Sequence, residues 1–249
     1  MNNHLKHKEM KRLYLLCMVM LSSLMLSAEE YKELWIVGSA VPGGAQKLEK
    51  VSDADFKYAG ELLVGELRVT TTKKIGKATR FLTPVLPDAN IVNRGLAWKE
   101  TTDVTSAAWQ VVIAENRYRF HVYTDRKQLY GEIFQPWGEL FIGGGATASG
   151  WKEGKMQLMK QNIDNPCIWT WEGELKKHEN VEEPASFKFQ GQDRWYPKAI
   201  HPYSADTDIL KDNRLRTGGS DNKWTLSRDG IYRITIDLFN EKVNAEIVK

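Results

Sequence analysis

The sequence predicts an all-β protein: two tandem antiparallel β-sandwiches of immunoglobulin-like layout, preceded by a signal peptide. Three observations predict it. Apolar and polar residues alternate with period two through several stretches, the chain repeats its motifs in the same order, and no window of a dozen residues carries a capped 3.6-residue apolar stripe. The 249 residues suffice for two domains of roughly 100–120 residues each. Charged residues make up 27%, the apolar set 42%, and the mean hydropathy is −0.47, a balance that excludes a disordered chain and a polytopic membrane protein.

Residues 1–28 read as a signal peptide. A basic segment with Lys6, Lys8, Lys11 and Arg12 precedes the apolar run Leu13–Leu26, and Ser27-Ala28 supplies small residues at the exit. The alternative, an N-terminal anchor, needs about 20 apolar residues to span a bilayer, more than this run offers. The chain is expected to be exported. No lipidation is expected at Cys17, because Leu16 precedes it and the apolar run continues beyond it.

The repeat is legible in five places. Glu33-Leu34-Trp35-Ile36-Val37-Gly38-Ser39-Ala40 reads against Glu139-Leu140-Phe141-Ile142-Gly143-Gly144-Gly145-Ala146. Gly60-Glu61-Leu62 matches Gly173-Glu174-Leu175, and Leu67-Arg68-Val69 stands where Phe187-Lys188-Phe189 does. Arg80-Phe81 with Pro84 parallels Arg194-Trp195 with Pro197, and Trp109 before Tyr118–Val122 parallels Trp224 before Tyr232–Ile236. The expected domains are 31–136 and 138–249, with the junction at Gln135-Pro136-Trp137-Gly138. Tyr232–Leu238 and Val243–Ile247 alternate on either side of Asn240-Glu241-Lys242, which predicts a hairpin. Tyr118–Val122 and Leu129–Ile133 form its counterpart around Thr124-Asp125-Arg126. About seven short strands are expected in each copy.

Charge and cysteine content narrow the function. Four of the 35 basic residues and one of the 32 acidic residues lie in 1–28, which leaves 31 of each in the remainder. A nucleic-acid partner needs a basic excess and finds none here. Outside 1–28 the single cysteine is Cys167, which excludes an internal disulfide and reads as a small buried hydrophobe. No HExxH, paired CxxC or G-x-S-x-G is present, so no metal, cofactor or catalytic group is assigned. Gly143-Gly144-Gly145 lacks the GK[ST] ending of a phosphate loop and reads as a flexible turn at a sheet edge. Asp206-Thr207-Asp208 is the weak candidate for calcium or a carboxylate pair, and Glu182-Glu183 reads as loop solvation.

The residues that point to a function are aromatic. All nine tryptophans lie beyond residue 28. Trp109 and Trp224 sit at matching places just ahead of strands, Trp169 and Trp171 alternate within one, and all four read as core. Trp195-Tyr196 lies instead in a loop among Gln190, Gln192, Asp193, Arg194 and Lys198, and Trp151 follows the glycine turn. An indole face there would stack on the apolar face of a sugar, with polar neighbours bonding its hydroxyls. The other reading of Trp195 is a cap on the end of the sandwich.

The run Leu140–Ala146 with Gly150-Trp151, Met156 and Met159, then Trp171–Leu175, Phe187-Lys188-Phe189 and Trp195, resembles the SusE/SusF family of outer-membrane starch-binding proteins of Bacteroidetes. The resemblance covers 138–249 well and 31–136 weakly. It implies tandem carbohydrate-binding-module-like sandwiches, a polysaccharide ligand of α-glucan type, and SusC/SusD-type outer-membrane partners. It implies a platform of tryptophans near strand ends with a basic residue alongside, for which Trp195, Lys188 and Arg194 occupy the closest matching stretch; Tyr196 and Trp151 join them as candidate sugar-binding residues from the loop reading above. Two departures stand out: the lipobox typical of the family is missing, which implies a place in the cell envelope either in the periplasm or at the outer-membrane surface through a partner, and the first copy has Phe81 for Trp195, which implies a degenerate domain acting as a spacer.

Overall fold

The computed structural model describes residues 31–177, 185–195 and 197–248. The expected signal peptide, Glu182-Glu183 and Tyr196 lie outside them. The described residues are all β, with no helix. The first half carries β1 (Trp35–Val37), β2 (Ala45–Lys47), β3 (Glu49–Ser52), β4 (Asp55–Leu62), β5 (Gly65–Thr70), β6 (Phe81–Pro84), β7 (Asn93–Thr101), β8 (Trp109–Val111), β9 (Glu115–Tyr123) and β10 (Gln128–Ile133). The second carries β11 (Phe141–Gly143), β12 (Gln157–Leu158), β13 (Lys160–Gln161), β14 (Ile168–Leu175), β15 (Ser186–Gln190), β16 (Ala199–Pro202), β17 (Thr207–Asp208), β18 (Leu215–Thr217), β19 (Trp224–Thr225), β20 (Gly230–Asp237) and β21 (Lys242–Ile247).

The sheets follow one plan twice. The first runs β2-β1-β5-β6-β7-β10-β9-β4-β3 with β8 beside β5. The second runs β12-β11-β15-β16-β18 with β19 beside β15, and separately β13-β14-β20-β21. All pairs are antiparallel except β17 with β19. The long β7 joins both layers of the first half through β10, whereas the three-residue β18 reaches β21 only through an Arg214–Lys242 bridge. More strands appear than the seven expected per copy because single stretches switch sheets. β2 and β3 part at Leu48, and β12 and β13 part at Met159. Leu48 N–H bonds the Leu34 carbonyl (2.9 Å) and Met159 N–H the Leu140 carbonyl (2.8 Å), both side chains being buried.

Alternation decides which side chains face inward. In β20, Tyr232, Ile234 and Ile236 are fully buried and Arg233 is exposed. In β14, Trp169 and Trp171 are buried while Thr170 is half-buried. Trp109 and Trp224 fill equivalent places, opposite Leu67 and Phe187 in the strand pairing. The buried apolar residues form two clusters, one spanning Tyr31 to Leu129 and the other Phe134 to Val243. Burial of such side chains supplies about 1.5–3 kcal/mol each and carries the fold, with no disulfide to assist.

The glycine run after β11 is packed, contrary to the expected flexible edge turn. A Cβ on Gly144 would lie 2.4 Å from the Phe187 Cα, and its φ is +150°. Gly38, its counterpart, has φ +133° and would place a Cβ 2.3 Å from the Glu66 carbonyl oxygen. Both positions require glycine because the chain crosses a neighbouring strand at backbone contact.

The register also corrects one sequence match. Phe81 pairs with Thr70 as Ala199 pairs with Gln190, and Leu82 with Val69 as Ile200 with Phe189. Phe81 is therefore the counterpart of Ala199 and not of Trp195, and it is buried in β6. The two loops differ in length, so Arg80-Phe81 aligned by residue type but not by ladder position. The loop of the first half that corresponds to the Trp195 loop is 71–80, which contains no aromatic residue.

The halves meet through buried charge. His121 Nδ1 lies 2.9 Å from Asp55 and its Nε2 2.9 Å from Glu241. Arg119 donates to the Leu238 carbonyl (2.5 Å) and pairs with Glu132 and Glu241. Lys57 donates to the Asn240 carbonyl, Lys242 pairs with Glu49, and Arg214 donates to the Val51 carbonyl (2.8 Å). Tyr203 OH reaches Asp55 (3.0 Å) and Ser52 (3.1 Å).

Candidate functional site

β15 sets the base of the site. Phe187 and Phe189 point into the core, so alternation turns Ser186, Lys188 and Gln190 to the opposite face. That face is buried as well, because two loops fold over it. One runs from Gly150 to Met156 and carries Trp151; the other runs from Gly191 to Lys198 and carries Trp195.

The loops are bonded to each other. Trp195 N–H donates to the Glu153 carboxylate (2.8 Å), Gly154 N–H to the Asp193 carbonyl (3.1 Å) and Met156 N–H to the Asp193 carboxylate (3.1 Å). The Gln192 amide closes the second loop on the carbonyls of Arg194 and Lys198, both at 2.9 Å. These bonds bring Trp151 and Trp195 together, their ring centroids 5.3 Å apart and their planes tilted by 52°. Both rings are half-buried. The Trp151 indole nitrogen is buried and has no hydrogen-bond partner among the described residues.

Two ammonium groups flank the rings. Lys188 Nζ lies 5.0 Å from the Trp195 ring centre and Lys223 Nζ 5.5 Å from that of Trp151. Asp221 links them, at 2.7 Å from Lys188 and 3.5 Å from Lys223. Burial pushes the Asp221 carboxyl up, but the Lys188 hydrogen bond and both lysine charges outweigh it and hold it below the usual range. His201 Nδ1 donates to the Asn222 carbonyl (3.0 Å), which fixes the backbone beside Asp221. Burial holds His201 below the ordinary imidazole value, so it is neutral at pH 7.

Of the residues expected from sequence, Trp151, Trp195 and Lys188 come together. Lys188 is buried under the Trp195 ring, its side chain 9% exposed, whereas that of Lys223 is 36% exposed, and Asp221 pairs with both. Arg194 is exposed, and its side chain has no hydrogen bond among the described residues. Tyr196 lies outside them. Sequence reasoning missed Lys223 and Asp221. A signal for Lys223 existed: Trp224 reads as core, so its neighbour must face outward. Asp221, 33 residues from Lys188, has no local signal.

The arrangement is suited to binding. A tilted aromatic pair with polar neighbours is an arrangement that can receive a sugar chain, whose surface is alternately apolar and hydroxylated. Each carboxylate at the pair is engaged: Glu153 and Asp193 accept backbone N–H groups and Asp221 holds the two lysines. Among the described residues no three His, Cys, Asp or Glu side chains gather as metal ligands, and Asp208 pairs with Lys211 at 3.5 Å.

No protein-family profile matches the chain, and no curated protein matches it. Among solved structures it is similar to the crystal structure of SusF from Bacteroides thetaiotaomicron, at 12% identity and a TM-score of 0.35. The match covers 87% of this chain and 48% of that one, so the chain spans about half the length of that protein. The likeness does not place the chain in the SusE/SusF family that its sequence resembles.

Proposed function

We propose that this chain is a non-catalytic glycan-binding protein of the cell envelope, with α-glucan as its polymer and the Trp151–Trp195 pair as its platform. The observation that carries this is the pair itself: two indoles from separate loops, 5.3 Å apart and tilted, flanked by Lys188 and Lys223. The corresponding loop of the first half, 71–80, carries no aromatic residue. The first half's counterpart of Lys188 is Arg68, by the Val37↔Arg68 and Gly143↔Lys188 pairings, and Arg68 is engaged with the Ser106 carbonyl (2.6 Å). One platform gives weak affinity, so avidity comes from neighbouring sites or partners such as SusC/SusD-type proteins.

The test is electrophoresis of the whole chain in native gels cast with starch, pullulan, dextran, xylan or mannan. Retardation by starch or pullulan, lost in Trp195→Ala, is the expected result. No retardation by any polymer overturns the proposal and favours a second reading, docking on an envelope partner. That reading has its own observation: Val64 and Val112, 62% and 57% exposed, continue the strand pair beyond Gly65↔Val111 as an apolar edge.

A further inference from the structure

A cavity of about 910 Å³ lies between the two halves, away from the tryptophan pair. Its first-half wall carries Arg94 on β7, Arg126 in the β9–β10 turn, and Tyr123 and Tyr130. Its second-half wall carries Tyr203, Arg216 on β18 and the turn Gly218-Gly219. Neither half forms it alone.

The charge of the lining is uneven in a specific way. The lining acids are Asp55, Glu132 and Glu241, and all three are engaged. Asp55 holds His121 and Tyr203; Glu132 holds Arg119; Glu241 holds His121, Arg119 and Lys57. The side chains of Arg94, Arg126 and Arg216 have no carboxylate partner among the described residues. Three positive charges therefore face the cavity without compensation.

Two of these guanidinium groups are prepared for a ligand. Arg126 stacks on Tyr123 at 3.7 Å and lies 5.2 Å from the Tyr130 ring, which fixes its plane and leaves its N–H edges free. Arg216 is half-buried, and its Nε is a buried donor with no partner among the described residues. A Cβ at Gly219 would lie 3.1 Å from the Arg216 Cζ, so glycine there admits the guanidinium. With Nε enclosed by protein, the terminal N–H groups of Arg216 are the donors left for an anion, and a guanidinium without a carboxylate partner favours one. The tyrosine faces are occupied by cations, Arg126 on Tyr123 and Arg214 on Tyr203 at 5.1 Å, so the cavity offers charge and hydroxyls rather than a stacking surface. Its volume suits an oligosaccharide of a few units.

We infer that this cavity is a second binding site, for an acidic oligosaccharide whose carboxylate or sulfate is held by Arg126 and Arg216, with Arg94 at the rim. The site is independent of the tryptophan platform and requires both halves. It would let one chain hold a neutral polymer on one surface and an acidic glycan at the junction.

The test is calorimetric titration of the whole chain with a hyaluronan tetrasaccharide, which carries carboxylates only, and a chondroitin 4-sulfate tetrasaccharide. Maltotetraose and inorganic sulfate are the controls. The expected result is binding of at least one acidic tetrasaccharide about tenfold or more tighter than either control, weakened by salt. Arg126→Gln and Arg216→Gln should each weaken it about tenfold with the thermal midpoint retained, and Trp195→Ala should leave it unchanged. The tetrasaccharide that binds identifies the anionic group. Failure of both acidic tetrasaccharides, equal binding by inorganic sulfate, or indifference to both arginine variants overturns the proposal. Because Trp195→Ala separates the sites, failure here is distinct from failure of the starch platform.

Discussion

His121 on β9 and Glu241 in the β20–β21 turn are 120 residues apart in sequence and 2.9 Å apart in space, joined Nε2 to Oε2 across the boundary between the halves. Asp55 holds the other ring nitrogen, Tyr123 stacks on the imidazole at 5.6 Å, and Arg119 and Lys57 share Glu241. Burial opposes the imidazolium, but Glu241 and Asp55 outweigh it and push His121 up to about 9. Burial likewise opposes the Glu241 carboxylate, and His121, Arg119 and Lys57 hold it down at about 2.

Stability should therefore depend on pH in a defined window. The His121 contribution is complete below its ordinary value of 6.5 and is lost as pH rises through about 9. The Glu241 contribution is complete above 4.5 and is lost as pH falls through about 2. The thermal midpoint should fall between pH 6.5 and 9.5, and His121→Gln should lower it at pH 6.5 and flatten that slope. A variant with the same slope as the native chain would refute the assignment.

Removing either indole should abolish most glycan retention. Stacking is worth about 1–3 kcal/mol per aromatic by analogy with base stacking, so Trp151→Ala and Trp195→Ala should each weaken starch binding by about tenfold or more. Half-buried loop positions should leave the thermal midpoint nearly unchanged. Paired binding isotherms and melting curves separate loss of the platform from loss of fold.

Gly38→Ala and Gly144→Ala should each destabilise by about 2–4 kcal/mol, combining a positive φ with overpacking against a backbone atom. If the two clusters unfold separately, each variant should shift a different transition in a denaturant titration. A cost below about 0.5 kcal/mol in both would show that the close approach is relaxed in solution.

Cys167 is 5% exposed, and burial pushes its thiol up. It should resist an aromatic disulfide reagent at pH 8 in the native chain and react at once in denaturant. Fast native labelling would mean that the end of the sandwich opens.

The period-two alternation, the two hairpins and the paired core tryptophans were readable because each is a local pattern that burial enforces on a strand. The repeat was readable where backbone geometry demands one residue type, as at Gly38 and Gly144. It misled at Arg80-Phe81, where a loop of different length let residue types align while the ladder did not. Trp151 and Trp195 could each be singled out as loop aromatics. Their distance, their tilt and the lysines beside them depend on how two loops bond to each other, which no spacing encodes.

By itself, the sequence determined the fold class and the two closing hairpins, because these follow from local patterns of burial, and it singled out Trp151 and Trp195 as loop aromatics. Only the tertiary structure decided that Lys188 lies beneath Trp195 while Lys223 lies outside. It also decided that Arg126 and Arg216, 90 residues apart, line one cavity. The physical reason is that electrostatic partnership depends on distance in space, and here that distance is set by loop-to-loop bonds and by the charged junction between the halves.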